Sequence, residues 1–126
     1  MDLKLKNEKP IYIQLADWLS DQIISGKIAE GEQIPSTTEI SMAYKVNPAT
    51  ALKGVNLLVE KGVIYKKRGL GMFVSEGSVA KLKKERKNDF FDSFIKTLTT
   101  EAIKLGLDKE DIIEMIERGF EDEGND

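Results

Sequence analysis

The sequence contains neither cysteine nor histidine. Without these residues the chain forms no disulfide, offers no thiol or imidazole nucleophile, and lacks the usual ligands of zinc and copper. The carboxylates, lysines, serines and tyrosines that remain show no pair in a recognisable catalytic arrangement. We therefore expect a protein that is not an enzyme, has no metal site and needs no cofactor.

Long apolar runs are also missing from the chain. The N-terminal segment has no apolar stretch of the signal-peptide kind, and no run approaches the roughly 20 residues that span a bilayer. The chain of 126 residues, 40% of them apolar and 33% charged, is sufficient for one folded core with a short appendage. We expect a cytoplasmic protein without a membrane partner.

The net charge of −3 conceals a strong asymmetry along the chain. From Lys45 to Lys87 there are eleven Lys and Arg residues against three acids, whereas residues 101–126 contain ten acids and three bases. Because salt screens charges beyond about 8–10 Å, the local charge decides whether a segment attracts phosphates. The middle of the chain is therefore a candidate for nucleic-acid binding, with a merely solvated charged surface as the alternative.

Helical spacing and capping signals predict three helices in the first half of the chain. The first follows Pro10 and ends at Gly26, where a C-terminal cap needs a left-handed residue. The second begins at a capping box formed by Ser36 and Glu39. After a tight turn the third begins at Asn47, a good N-cap that is followed by proline in the first helical position. Two short helices joined in this way describe a helix-turn-helix.

After the third helix the pattern changes to that of a β-hairpin. Residues 63–65 and 72–74 read as two strands, and the turn between them begins with Lys66, Lys67 and Arg68. A two-stranded hairpin is marginal alone, but docked on three helices it becomes the wing of a winged helix. We expect a mainly α-helical fold with a small β-hairpin, of the α+β class.

A helical tail follows the hairpin, and we divide the chain into a DNA-binding domain, 1–76, and a dimerisation tail, 77–126. Residues 79–105 form one long helical pattern, and Asp108 begins a last helix that ends at Gly119. The apolar residues that we assign to dimerisation are Phe90, Phe91, Phe94, Ile95, Leu98, Ile112, Ile113 and Ile116. Two helices without a second layer cannot bury such stripes alone, which predicts a twofold homodimer. A ligand pocket lined by the phenylalanines is the alternative.

Six short motifs follow one another over the first three-fifths of the chain. They are Pro10-Ile-Tyr-x-Gln14-Leu-Ala, Gly26-Lys-Ile-x-x-Gly31, Ile34-Pro35-Ser36, Glu39-Ile40, Leu57-Leu58-x-x-x-Gly62-Val63-Ile64 and Arg68-Gly69-x-Gly71-x-Phe73-Val74. Their order and spacing resemble the winged helix-turn-helix domain of the GntR family of bacterial transcription regulators. Residues 46–50, Val-Asn-Pro-Ala-Thr, together with the short tail, are similar to the YtrA subfamily.

The resemblance implies a sequence-specific regulator, and its YtrA-like features imply control of a neighbouring transporter operon and of the regulator's own gene. Three positions depart from the family pattern. Thr38 and Leu52 stand where relatives commonly place arginine, and Gly54 stands where the family usually has alanine. Glycine at that position lowers the helix propensity by up to ~1 kcal/mol.

An α-helix fits the major groove, where base edges carry a distinguishable pattern of donors and acceptors. We predict DNA contacts from the third helix, the start of the second and the wing: Ser36, Thr38, Asn47, Pro48, Ala49, Thr50, Leu52, Lys53, Lys66, Lys67, Arg68 and Gly69. The two hydroxyls and the wing cations are candidate phosphate ligands, and Arg68 alternatively enters the minor groove. The basic run 81–87 either extends this footprint or only solvates a helix.

The predicted partners are double-stranded DNA and a second copy of the chain, while a small-molecule effector stays unknown. The favoured function is a dimeric repressor that binds an inverted-repeat operator. The alternative keeps the fold but uses it as a protein-interaction module without specific DNA binding, a role that does not require a basic wing. The acid-rich end at 121–123 is interpreted as a solvated terminus, with a divalent-cation site as the alternative.

Overall fold

The computed structural model describes residues 9–124, so the first eight residues and the last two, at the ends of the predicted domains, lie outside it. In chain order the elements are α1 (Ile11–Ile24), α2 (Thr37–Tyr44), α3 (Pro48–Glu60), β1 (Ile64–Lys67), β2 (Gly71–Val74), α4 (Ser78–Phe90), a π-helical turn (Phe91–Ile95), α5 (Lys96–Lys104) and α6 (Lys109–Gly124). The predicted fold, mainly helical with one antiparallel hairpin, is confirmed. The chain divides into two compact units, one ending at Glu85 and the other beginning at Arg86.

The core of the first unit lies where α1 packs on α3. Leu15, Leu19 and Ile23, which follow one another at intervals of four residues along α1, are completely buried. Val55 and Leu58 of α3 are buried against them in the same cluster. Each such side chain contributes about 1.5–3 kcal/mol by leaving water, so the inner faces of these two helices hold the unit together.

The start of α2 is fixed by the capping box that the sequence predicts. Ser36 Oγ accepts a hydrogen bond from the Glu39 N–H at 3.0 Å, and Glu39 Oε1 accepts one from the Ser36 N–H at 3.2 Å. One turn into the helix, Ile40 is buried in the core. The cap and the buried isoleucine together determine where α2 begins and how it is rotated.

The turn between α2 and α3 is tight and strongly supported. Lys45 adopts the left-handed conformation with φ of 53°, the single non-glycine residue with positive φ among residues 9–124. Ser41 Oγ donates to the Val46 carbonyl at 2.6 Å, and Asn47 Oδ1 accepts from the Ala49 N–H at 2.8 Å. The turn is therefore held from both sides, which fixes the direction in which α3 leaves it.

Gly54 marks the closest approach of α1 and α3. A Cβ atom at this position would lie 2.9 Å from the Tyr12 carbonyl oxygen and 3.0 Å from Leu15 Cδ2. From the sequence, the glycine is only a loss of helix propensity. In the structure, the missing side chain lets the backbone of one helix contact the other.

The hairpin is shifted relative to the predicted strand boundaries. The sequence pattern places Lys66 and Lys67 in the turn, but in the structure they belong to β1 and pair with Met72 and Gly71 of β2. The turn is therefore shorter than expected. It is made possible by positive φ angles at Gly69 (78°) and Gly71 (115°), which permit the chain to reverse within a few residues.

A third extended segment, residues 31–34, pairs with the other edge of β2. The Gly31 N–H donates to the Val74 carbonyl at 2.8 Å, and the Val74 N–H donates to the Glu32 carbonyl at 2.9 Å. The Ile34 N–H donates to the Met72 carbonyl at 2.9 Å. The hairpin is thus attached to the loop that leads into α2, which removes the marginal stability of two isolated strands.

The first turns of α4 belong to the first unit. Ser78 Oγ donates to the Val63 carbonyl at 2.9 Å, and Leu82 is buried in the core of the winged helix. Lys61 and Glu85 form an ion pair at 2.6 Å. These contacts explain why the first unit extends to Glu85, although the proposed DNA-binding domain ends at residue 76.

Glu30 caps the start of α4 from a distant loop. Its carboxylate accepts hydrogen bonds from the N–H groups of Val79 and Gly77, each at 2.9 Å. These hydrogen bonds hold the pKa of Glu30 below its ordinary value, and the bond from Val79 has the larger effect of the two. The ionised carboxylate of Glu30 thus stabilises the docked position of α4.

The second unit contains the π-helical turn, α5 and α6. The predicted last helix is longer than expected, because Gly119 keeps a helical conformation and α6 continues to Gly124. Its start is confirmed, since Asp108 Oδ1 accepts from the Asp111 N–H at 2.8 Å. Among residues 9–124, no helix combines the length and apolar character required to cross a membrane.

Candidate nucleic-acid interface

The outer face of α3 carries most of the predicted contacts. Ala49, Leu52 and Lys53 are exposed on it, while Ala51 and Val55 point into the core. Leu52 is 43% exposed, although it is a large apolar residue within a helix that packs well on its other side. The face that remains accessible is therefore small and mixed in character, with one cation and one branched apolar side chain.

The amino end of α3 contributes a second group of predicted residues. Asn47 and Pro48 are exposed, whereas Thr50 is half-buried. The Asn47 side chain is already engaged, since its Oδ1 accepts from the Ala49 N–H. The amide nitrogen of Asn47 is the atom of this side chain that remains as a donor for a base or phosphate.

Ser36 and Thr38 stand exposed at the start of α2. Ser36 Oγ is an acceptor in the capping box, which leaves the hydroxyl hydrogen for donation outwards. Thr38 lies two residues after the cap, within the first turn of α2. Both hydroxyls are thus presented at the amino end of a helix, where the partial positive charge of the helix attracts anions.

The wing presents the remaining predicted residues, Lys66, Lys67, Arg68 and Gly69, all of them exposed. They differ in their surroundings. The Lys67 ammonium lies over the cross-strand aromatic pair, with Nζ 4.8 Å from the centroid of the Phe73 ring. The ring restricts this side chain, while Arg68 is carried by the turn itself.

The cations of this surface are not paired with carboxylates among the residues that the structure describes. Within residues 9–124, the ion pairs join other lysines to carboxylates and involve neither Lys53 nor the cations of the wing. An unpaired cation attracts phosphate more strongly than one neutralised by a carboxylate. The local positive charge expected from the sequence is therefore available at the surface.

Tyr12 is a part of this surface that the sequence did not indicate. It lies in the first turn of α1, and its ring centroid is 4.1 Å from Lys53 Nζ. The contact joins residues about forty positions apart, so periodicity along either helix gives no sign of it. The one available signal is Gly54, which permits the close approach.

Lys81, the first cation of the basic run on α4, lies next to Gly62. A Cβ atom at Gly62 would be 3.0 Å from Lys81 Nζ, so this ammonium sits at the carboxyl end of α3. A cation at that end stabilises the helix dipole. For Lys81 this placement favours a structural role over an extension of the phosphate footprint.

The residues assigned to dimerisation lie in the second unit. Phe90, Phe91 and Phe94 are between 51% and 61% exposed, and the first and last of them pack ring against ring at 5.0 Å. The other five residues line a groove between α5 and α6. Ile113 and Ile116 are exposed there, and Ile95, Leu98 and Ile112 are half-buried. The groove has a volume of about 570 Å³.

The described residues contain no group of three or more side chains able to hold a metal ion. The acidic side chains at 121–123 are exposed on the last turns of α6. What the first unit does present is a helix-turn-helix whose third helix is exposed on one face, followed by a hairpin with cations at its tip. This is the architecture of a winged-helix DNA-binding protein.

The family model for bacterial regulatory proteins of the gntR family matches residues 11–74. The chain therefore belongs to the GntR family of transcription regulators. The match extends from the start of α1 to the end of β2 and includes every predicted DNA contact.

Two curated relatives match almost the whole chain. The uncharacterized HTH-type transcriptional regulator YhcF of Bacillus subtilis (strain 168) is 30% identical over 118 residues, covering 92% of this chain and 94% of YhcF. The HTH-type transcriptional repressor YtrA of the same organism is 28% identical over 111 residues, covering 88% of this chain and 85% of YtrA. The resemblance to YtrA thus extends beyond the winged helix, and these relatives are regulators rather than enzymes.

Solved structures agree with this assignment. A GntR family transcriptional regulator from Listeria monocytogenes superposes with a TM-score of 0.71 at 27% identity, covering 90% of this chain and 98% of that one. The DNA-binding domain of AraR in complex with its operator ORR3 has a TM-score of 0.53 at 31% identity, covering 60% of this chain and 90% of that one. The chain is a DNA-binding transcription regulator with a winged helix.

Proposed function

We propose that the protein is a dimeric, cytoplasmic repressor that binds an inverted-repeat operator through α3 and the wing of each copy. The observation that carries the proposal is the exposed face of α3 beside a hairpin whose cations form no ion pair with any residue of 9–124. YtrA is a transcriptional repressor, and AraR binds operator DNA through a domain of the same fold. A regulator that acts on chromosomal DNA works in the compartment that contains it.

The contact assignment follows from what each side chain offers. Lys53 supplies a charged donor for a base edge, Leu52 an apolar contact for a thymine methyl, and Asn47 an amide donor at the helix start. The hydroxyls of α2 and the wing lysines bind phosphates. Arg68, at the turn, is placed to reach the minor groove, where arginine reads a narrow and strongly negative surface.

Dimerisation is supported by how little the second unit buries alone. Ala102 is its one buried apolar side chain among the described residues, while several large apolar residues are exposed. Contiguous exposed apolar surface of this kind marks an interaction site. A second copy related by a twofold axis buries the stripe and presents two α3 helices to half-sites about one helical turn apart.

The resemblance to YtrA supports an operator upstream of a transporter operon and of the regulator's own gene. The test is to select genomic fragments that the purified protein retains, and to measure the dissociation constant of the best fragment over a range of salt. Specific retention with a linear decrease of log affinity against log salt is expected. A protein that retains no fragment above a scrambled duplex, or whose affinity ignores salt, contradicts the proposal and favours a protein-interaction module.

Matched variants separate base recognition from charge alone. Replacing Lys53 by alanine should reduce preference for the selected fragment, by about 5- to 150-fold for a contact to a base edge. Lys104→Ala removes the same charge from α5, outside the proposed surface, and should leave preference and salt dependence unchanged. Equal losses in the two variants would mean that only net charge matters.

A further inference from the structure

Tyr12 occupies an unusual position for a residue at the start of a supporting helix. Its ring lies half-buried in the first turn of α1, and the ammonium of Lys53 sits over it at 4.1 Å from the ring centroid. This distance is within the range in which a cation is attracted to the negative face of an aromatic ring. The partner of the ring is therefore a residue on the exposed face of α3.

The contact depends on how closely the two helices approach. Because a Cβ atom at Gly54 would lie 2.9 Å from the Tyr12 carbonyl oxygen, the backbones of α1 and α3 are in contact beside Lys53. The glycine and the lysine are neighbours in sequence. The close approach thus brings the first turn of α1, with its aromatic ring, under the side chain of Lys53.

The ring constrains Lys53 without neutralising it. A lysine on an exposed helix face has four rotatable bonds and samples many directions, and much of that freedom is lost when it binds. A carboxylate partner would restrict the side chain but also cancel its charge for DNA. Among the described residues Lys53 is in no ion pair, so the aromatic ring holds a donor whose ammonium is not paired with a carboxylate.

We propose that Tyr12 is a positioning residue, whose ring holds the Lys53 ammonium in the direction from which it reads a base in the major groove. This rests on the proposed assignment of Lys53 as a base contact. The ring, and not the hydroxyl, carries out this role. Tyr12→Phe should therefore retain the positioning role. Tyr12→Leu, which keeps apolar packing but removes the negative face of the ring, should lose it.

The experiment compares the full-length wild type with Tyr12→Phe, Tyr12→Leu, Lys53→Ala and the double variant Tyr12→Leu/Lys53→Ala. The probes are the best selected genomic fragment and a scrambled duplex of the same composition, and the readout is the ratio of their dissociation constants. Tyr12→Phe should match the wild type, while Tyr12→Leu should lower the ratio about two- to fivefold. The double variant should equal Lys53→Ala, because the ring acts only through the lysine.

A second measurement needs no DNA. In the free protein the Lys53 Hε protons should be shifted upfield by the ring in the wild type and in Tyr12→Phe, and this shift should disappear in Tyr12→Leu. Tyr12→Trp, which keeps an aromatic face, is the reserve variant if leucine prevents folding, as judged by circular dichroism and the thermal midpoint. It should preserve the ratio.

The possible results distinguish a failure of the inference about Tyr12 from a failure of the proposed function. If Lys53→Ala lowers the ratio but Tyr12→Leu leaves it unchanged, or if the two effects add independently, Tyr12 does not position the lysine. A loss in Tyr12→Phe equal to that in Tyr12→Leu would assign the role to the hydroxyl and overturn the inference. If the wild type itself shows no preference for any fragment, the proposed function fails instead.

Discussion

Replacing Gly54 by alanine should destabilise the protein, although the same change in an ordinary helix interior is stabilising. Alanine has a helix propensity about 1 kcal/mol better than that of glycine. Here the new methyl group would lie 2.9 Å from the Tyr12 carbonyl oxygen and 3.0 Å from Leu15 Cδ2. Because a backbone atom cannot move out of the way alone, α1 must shift as a body.

The net effect follows from the two opposing terms. Inserting a methyl group into a packed core costs about 1–3 kcal/mol, and the gain in propensity offsets about 1 kcal/mol of that. We therefore expect the free energy of unfolding to fall by up to about 2 kcal/mol. The measurement is equilibrium unfolding in urea at one fixed protein concentration, since association also contributes to stability.

Gly119→Ala is the matched control. Gly119 lies within α6, and a Cβ atom there would meet nothing within 4 Å. This substitution should leave stability unchanged or raise it by up to ~1 kcal/mol. If Gly54→Ala is as stabilising as Gly119→Ala, the close packing of α1 on α3 is not a constraint, and the reasoning about Tyr12 loses its structural basis.

Three further predictions concern the wing, the α4 cap and the tail. Lys66→Ala should weaken binding to all duplexes and flatten the salt slope by about one, measured by mobility shift, with Lys104→Ala unaffected. Because the folded state depresses the pKa of Glu30, its stabilising effect is complete above the ordinary carboxyl pKa and is lost as the pH falls through the depressed value. Glu30→Gln should therefore lose less thermal stability than the wild type on acidification; an equal loss would exclude the cap. Phe91→Glu should give monomers in sedimentation, while a dimer that survives would place the interface elsewhere.

The helix starts could be predicted from sequence because their signals are local. Ser36, Glu39 and Asn47 satisfy backbone N–H groups within three residues of themselves, so the information lies within one short segment. The same holds for Asp108, whose capping bond to the Asp111 N–H is observed. Local capping chemistry therefore determines where three of the helices, α2, α3 and α6, begin.

Contacts between distant segments were beyond the sequence pattern. Nothing in the period of α1 or α3 indicates that Gly54 meets Tyr12, because the approach depends on how two helices pack. Likewise, the pairing of residues 31–34 with β2 joins segments some forty residues apart. That pairing adds a third extended segment to the hairpin. The other strand, β1, includes Lys66 and Lys67, which the sequence pattern places in the turn.

The helices of the tail differ from the prediction because of their backbone conformation. The long helical pattern is correct, but a π-helical turn at Phe91–Ile95 interrupts it and changes which side chains share a face. The sequence pattern predicts that the last helix ends at Gly119, but this glycine has no positive φ, and the helix continues to Gly124. A glycine signals a helix end only where the chain must adopt the left-handed conformation.

The central claim is that duplex DNA meets the protein at α3 and the wing. Its most direct test is a titration of ¹⁵N-labelled protein with the selected fragment, followed by amide chemical shifts. Large changes should concentrate in residues 47–53 and 66–69, with the Tyr12 amide among those affected. Saturable binding that leaves these amides unmoved and shifts those of other segments would contradict the account.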